Sequence, residues 1–150
     1  MPISAENIGK SIIRGFSQGG SVSFQTPYLG LFTTLPGADG TGGVEVSYPE
    51  YKRVAINVNG IEGKKIMVDP YTEAGSGADA GKTITATKNQ EIIYFPEAET
   101  GAGGTAVGFG LFSAQTGGNL YLWGELKSGV TISQYSVPMF RADGFMLKLK

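Results

Sequence analysis

The sequence contains neither cysteine nor histidine. That double absence excludes disulfide frameworks, thiol nucleophiles, zinc sites of the usual kind and every catalytic arrangement built on an imidazole. Charge of one sign is lacking as well. Twelve basic and thirteen acidic residues leave a net charge of −1, with no basic run of the sort that neutralises a row of phosphates. Nucleic acid is therefore not an expected partner. No apolar run approaches the roughly 20 residues that cross a bilayer, and the first residues lack the continuous apolar core of a signal peptide. The expectation is a protein made in the cytoplasm without a membrane partner. A net charge so close to zero does little to keep copies apart, which suits a chain that assembles.

Glycine is the residue in excess, at 24 of 150, and proline adds 7. The glycines fall between runs of alternating or aromatic residues and show no collagen-like period, so they read as the turns of an all-β domain. A chain of this length can bury roughly 70% of the surface it exposes when unfolded, enough for one self-sufficient core. The pattern predicts an antiparallel β-sandwich or jelly-roll of eight to ten short strands over residues 24–150. A short helical arm and its connector are expected over residues 1–23.

The arm rests on periodicity. Ser4 can cap a helix whose first turn holds Glu6, and Ile8, Ile12, Ile13 and Phe16 share one face. A helix so short is marginal in water and must dock, on its own domain or on a neighbour. If it docks on a neighbour, removal of Met1 to Phe16 should leave a folded monomer that no longer assembles.

The central prediction is a hairpin over Thr105 to Leu126. Val107, Phe109 and Leu111 face one way and Gly108, Gly110 and Phe112 the other, and the turn is Gln115-Thr116-Gly117-Gly118. Both faces of the hairpin are apolar, so both need cover, from a second sheet or from another subunit. Gly30-Leu31-Phe32 near the start echoes Gly110-Leu111-Phe112, as two similar core strands would. Further strands are read at Tyr28 to Thr34, Val44 to Tyr48, Tyr51 to Val58, Ile61 to Val68, Lys82 to Thr87, Glu91 to Phe95, Val130 to Ser133 and Phe145 to Lys150. Residues 73–81 look the least ordered, and residues 96–104 read as a glycine-rich tip.

Three constellations invite chemistry. Ala74 to Thr83 ends in Gly-Lys-Thr like a phosphate-binding loop, yet Ser76 occupies the required glycine position and a strand pattern follows where a helix is needed. Glu97 and Glu99 could be cast as paired carboxylates, but nothing apolar surrounds them to raise one pKa. Asp39 lacks the spaced oxygen ligands of a calcium loop. No enzymatic activity, metal or cofactor is expected. Tyr121 and Trp123 share a hairpin face and could stack on sugar rings or anchor a partner, or both could fill the core.

Tyr28-Leu29-Gly30-Leu31-Phe32-Thr33-Thr34, Val44-Glu45-Val46-Ser47 and Tyr51-Lys52-Arg53 come in that order. Phe95-Pro96, Gly110-Leu111-Phe112, Gly117-Gly118-Asn119-Leu120, Trp123-Gly124-Glu125-Leu126, Val137-Pro138 and Leu147-Lys148-Leu149 follow. The series resembles a family of small virion proteins of tailed bacteriophages, of the tail fibre or minor tail type. The resemblance covers most of Tyr28 to Lys150 and leaves the arm outside it. It implies a non-enzymatic building block, present in many copies on the tail, neck or capsid surface. Its partners would be other virion proteins and further copies of itself. The alternative it leaves open is a module that binds a glycan or receptor on the host surface.

Overall fold

The computed structural model describes residues 17, 19, 26–56 and 66–149. The predicted arm, with Ile8, Ile12, Ile13 and Phe16, lies outside the described residues, as does most of the strand expected from Ile61. The rest is an all-β fold, as the glycine spacing predicted. Its strands are β1 (Tyr28–Thr34), β2 (Val44–Glu45), β3 (Val54–Ala55), β4 (Tyr71–Ala74), β5 (Thr83–Lys88) and β6 (Ile93–Tyr94). They are followed by β7 (Gly104–Phe112), β8 (Leu120–Ile132), β9 (Met139–Phe140) and β10 (Met146–Leu149).

All described pairings are antiparallel. The largest sheet runs β2-β1-β7-β8, with β3 on the same edge of β1 as β2; a second runs β10-β5-β4, and β6 pairs with β9. β7 is thus central, while β8 has no second neighbour among the described residues. The turn between them is built as its glycines require, Gly117 and Gly118 both holding positive φ angles, 61° and 72°.

Alternation decides which faces meet. Leu29 and Leu31 of β1 and Phe109 and Leu111 of β7 point into one core, where Val46, Ile56, Ile93, Phe95, Ile132 and Phe145 join them. A chain of rings ties the sheets together. Phe109 meets Phe145 edge-on with centroids 4.9 Å apart, Phe145 meets Phe140 at 5.2 Å, and Phe140 meets Phe95 at 6.3 Å. Tyr51 stacks on Phe95 at 6.2 Å. Such pairs contribute about 0.5–1.5 kcal/mol each beyond the area they bury.

Sequence expectations change at β8 and in the segment before β7. β8 is one strand of 13 residues, where separate strands were expected on either side of Ser128-Gly129. The pairing jumps from Ala106↔Val130 to Gly108↔Glu125, so the residues between bulge out without ending the strand. The tip expected at residues 96–104 is instead held along the ribbon. Ala98 is fully buried; its amide donates to the Ser136 carbonyl at 3.0 Å, and its carbonyl accepts the Tyr135 amide at 2.7 Å.

Candidate interaction surfaces

The outer face of the large sheet is a trough cut by its glycines. A β-carbon on Gly108 would collide with Leu35 Cδ2, and one on Gly110 would stand 2.6 Å from the Phe32 ring and 2.9 Å from the Phe112 ring. Leu35, Phe32 and Phe112 therefore fold over the strand where no side chain competes. The second apolar face of the hairpin is covered in part by the chain itself.

Above this trough lies a groove of about 400 Å³ between the 36–43 loop and the β7–β8 turn, floored by Phe32, Glu45, Arg53 and Phe112. Its chemistry is set by Arg53, whose guanidinium carbon sits 3.4 Å from the centre of the Phe112 ring. Nε donates to Glu45 Oε1 and Nη2 to Glu45 Oε2, both at 2.8 Å. Nη1 donates to the carbonyls of Ala114 (3.0 Å) and Gly117 (2.6 Å). Four of its five N–H groups are thereby used within the chain. Glu45 Oε1 also accepts the Tyr51 hydroxyl at 3.0 Å, and that hydroxyl accepts the Leu31 amide at 2.8 Å. At the rim, Asp39 accepts from the Thr41 amide and hydroxyl, at 3.0 and 2.9 Å. These bonds hold the Asp39 carboxyl below its usual range. The polar groups of the groove thus clamp loops to the sheet.

The other predicted groups fall apart as a site. Tyr121 and Trp123 stand on β8, half-buried, with Trp123 opposite Gly110. Glu97 and Glu99 are both exposed. The phosphate-loop lookalike is a hairpin: Gly77–Asp79 form a 3-10 turn and Ala74 pairs with Thr83. Lys82 reaches Asp79 at 3.3 Å, and strand β5 follows in place of a helix.

Sequence reasoning missed a surface on the β6–β9 ribbon. Among the described residues the exposed large apolar side chains are Ile92, Tyr94, Tyr135, Val137 and Met139, together with Val44 elsewhere. Tyr94 and Met139 are direct cross-strand partners. Inward from them Ile93, Phe95 and Pro138 are buried. The run Ile92-Ile93-Tyr94-Phe95 held the signal, because a strand apolar on both faces can give only one to its core. At the end of the ribbon Tyr135 is 73% exposed and holds φ 63°, a conformation disfavoured for a bulky residue.

Among the described residues no group of three or more acidic side chains is placed to hold a metal ion, and no helix is long and apolar enough to cross a membrane. A protein-family model described as "Podophage GP4 fiber I protein gp80" matches residues 6–148. The match begins inside the segment read as the arm, so that segment is shared with the family and not an addition to it. No curated protein sequence matches the chain.

Proposed function

The chain belongs to the podophage GP4 fiber I protein gp80 family, and on that footing we propose that it is a non-enzymatic building block of a tailed-phage fibre, acting through contacts with other virion proteins. The observation that carries this reading is a division of labour on the surface. Arg53, Glu45 and Asp39 of the groove are committed to partners within the chain, which leaves fewer groups to orient a polar substrate. Apolar side chains are instead presented together on the ribbon, where a protein partner would cover them. The apolar positions Ile8, Ile12, Ile13 and Phe16 are proposed as an assembly arm, docking on its own domain or on a neighbour.

The test is made on the particle. Mass spectrometry of purified virions, with immunogold labelling of the fibres, should find the chain there in several copies. Its absence from mature particles, or turnover of a substrate abolished by Glu97→Ala or Lys82→Ala, would overturn the reading.

A further inference from the structure

The groove over the large sheet keeps polar groups that the Arg53–Glu45 clamp does not use. On the loop wall Asp39 accepts two bonds from Thr41, one on each carboxylate oxygen, so each oxygen retains further acceptor capacity. Beside it Gly40 and Gly42, with φ angles of 80° and 75°, bare the main chain, and a β-carbon on Gly42 would meet nothing within 4 Å. On the opposite wall the Asn119 side chain is exposed and makes no hydrogen bond among the described residues, its main chain alone being bonded to Ser113. By holding the Ala114 and Gly117 carbonyls, Arg53 fixes the turn that carries Asn119. The groove, at about 400 Å³, falls in the range of roughly 300–1,000 Å³ usual for small-ligand sites.

Its apolar surface is one-sided. Arg53 already covers a face of Phe112, and Phe32 and Phe112 are buried, so the apolar group on offer is the half-buried Leu120. A β-carbon on Gly110 would stand 2.8 Å from Leu120 Cδ1, and the half-buried Trp123 pairs directly with Gly110. Leu120 and Trp123 therefore share the outer face of the sheet, and Trp123 continues the apolar floor past the end of the groove.

We infer that this groove binds a neutral carbohydrate, one ring seated between Asp39 and Asn119 with its C–H face on Leu120 and further units running toward Trp123. The assignment follows from what each group can give or accept. A sugar hydroxyl is donor and acceptor at once, so neighbouring hydroxyls can donate to Asp39 and accept from Asn119 Nδ2 or a bared main-chain amide. An anion meets the Asp39 charge, and Arg53 has already given four of its five N–H groups to the chain. An ammonium or guanidinium group from a protein partner would satisfy Asp39, yet it accepts no hydrogen bond and leaves Asn119 Nδ2 idle. The site is additional to the contacts proposed above for fibre assembly and does not depend on them.

A site this open holds a single ring weakly, with a dissociation constant on the order of 1–10 mM. The test is a titration of the isotope-labelled full chain with the methyl glycosides of glucose, galactose, mannose and N-acetylglucosamine, followed through its amide resonances. At least one should shift Gly42 and Asn119 saturably, and neither inorganic phosphate nor methylammonium should displace it. Asn119→Ala and Asp39→Asn should each weaken binding by about tenfold, as loss of one hydrogen bond does. Asn119 holds nothing else with its side chain, Asp39→Asn keeps an acceptor for Thr41, and circular dichroism establishes that both variants remain folded. Oligosaccharides of the sugar that binds should bind more tightly, as a cell-surface glycan would, and Trp123→Leu should remove that gain. No advantage over the single ring assigns the groove to a free sugar and overturns the extension to Trp123. The absence of any saturable shift up to about 50 mM, well above the expected dissociation constant, overturns the site, as does binding unchanged in both groove variants. Displacement by methylammonium overturns it in favour of a basic side chain of a protein partner. Recovery of the chain in purified virions decides the fibre role independently of any of these results.

Discussion

Gly30 and Gly110 lie directly opposite each other on neighbouring strands, and the Phe112 ring would stand 2.9 Å from a β-carbon on either. The repeated Gly-Leu-Phe words of the sequence are thus two halves of one device: paired glycines open a gap in the sheet surface, and the rings of Phe32 and Phe112, 5.8 Å apart, close over it. Gly110→Ala should cost about 1–3 kcal/mol, the usual range for overpacking a filled space. Gly117→Ala meets no atom within 4 Å but must hold φ 61°, so its cost is only about 1–2 kcal/mol, from the left-handed backbone. Urea denaturation of the two variants measures both costs, and a Gly110→Ala variant as stable as the wild type would contradict the packing account.

Among the described residues Asn89 is the buried polar residue of the core, with no exposed surface. Its Oδ1 accepts the Phe145 amide at 2.8 Å, and its Nδ2 donates to the carbonyls of Glu91 (2.9 Å) and Arg141 (2.7 Å). One side chain thereby fastens the end of β5 to the chain around β6, β9 and β10. Asn89→Ala strands those backbone groups and should cost about 3 kcal/mol. Asn89→Asp keeps the acceptor but points a second one at two carbonyls. Burial and those carbonyls raise the folded-state pKa of the new carboxyl. Its folded form is therefore favoured below the ordinary Asp pKa, about 4, and loses stability as pH rises through the raised value. Thermal melts of Asn89→Asp at acid and neutral pH should show the acid sample closer to wild type. The opposite order would refute the assigned bonds.

The strands β1, β5 and β7 were legible because runs of six to nine residues are long enough to display period-two alternation and are bounded by turn residues. β6 falls inside the strand read at Glu91 to Phe95, but β9 has two residues, too few to show any period. The position of β9 is set by its pairing with β6 and by the rings around Phe140, contacts between residues far apart in sequence. For the same reason Val44 to Tyr48 read as a longer strand than β2 proves to be: Val46 and Tyr48 alternate inward, and Val46 donates to Leu31 at 2.8 Å, but the ladder is interrupted. Residues 73–81, read as poorly ordered from their glycines and small residues, are organised by pairing across β4 and β5. The Arg53–Glu45 clamp left no trace because seven residues of irregular chain separate its members. Its geometry exists only once β1 and β7 have brought their loops together.

Tyr48 and Tyr51 give the fold an alkaline signature. Burial, with a smaller contribution from Glu50, pushes the Tyr48 hydroxyl up to about 12, while it donates to the Pro96 carbonyl at 2.7 Å. Tyr51 is raised further, first by burial. Because the folded state favours the neutral phenols, their contribution is complete below the unfolded pKa near 10 and is lost as pH rises through the folded values. Tyrosinate absorbance should therefore rise in two stages, the later coinciding with loss of the β signal in circular dichroism. Tyr48→Phe and Tyr51→Phe should each remove one equivalent from the late stage. A single early stage, with the fold intact, would contradict the burial of both hydroxyls.

The clamp itself is tested by a double-mutant cycle. Arg53 and Glu45 make a bidentate pair with side-chain exposures of 11% and 25%, so the charges are partly screened and the geometry carries much of the effect. Arg53→Lys keeps the charge but gives up the fork, the cover over Phe112 and at least one of the two carbonyls at Ala114 and Gly117. The expected loss is about 2–3 kcal/mol, because one partner of a mostly buried pair is left poorly matched. Glu45→Gln should cost less, since the amide still accepts from Tyr51 or Arg53. The double variant should fall short of the sum by at least about 1 kcal/mol, the coupling expected of groups in direct contact. Hydrogen exchange should place the added opening in the β7–β8 turn, whose carbonyls at Ala114 and Gly117 Arg53 holds. Additive costs, or exchange unchanged in that turn, would mean that the pair is incidental to how the turn is fixed.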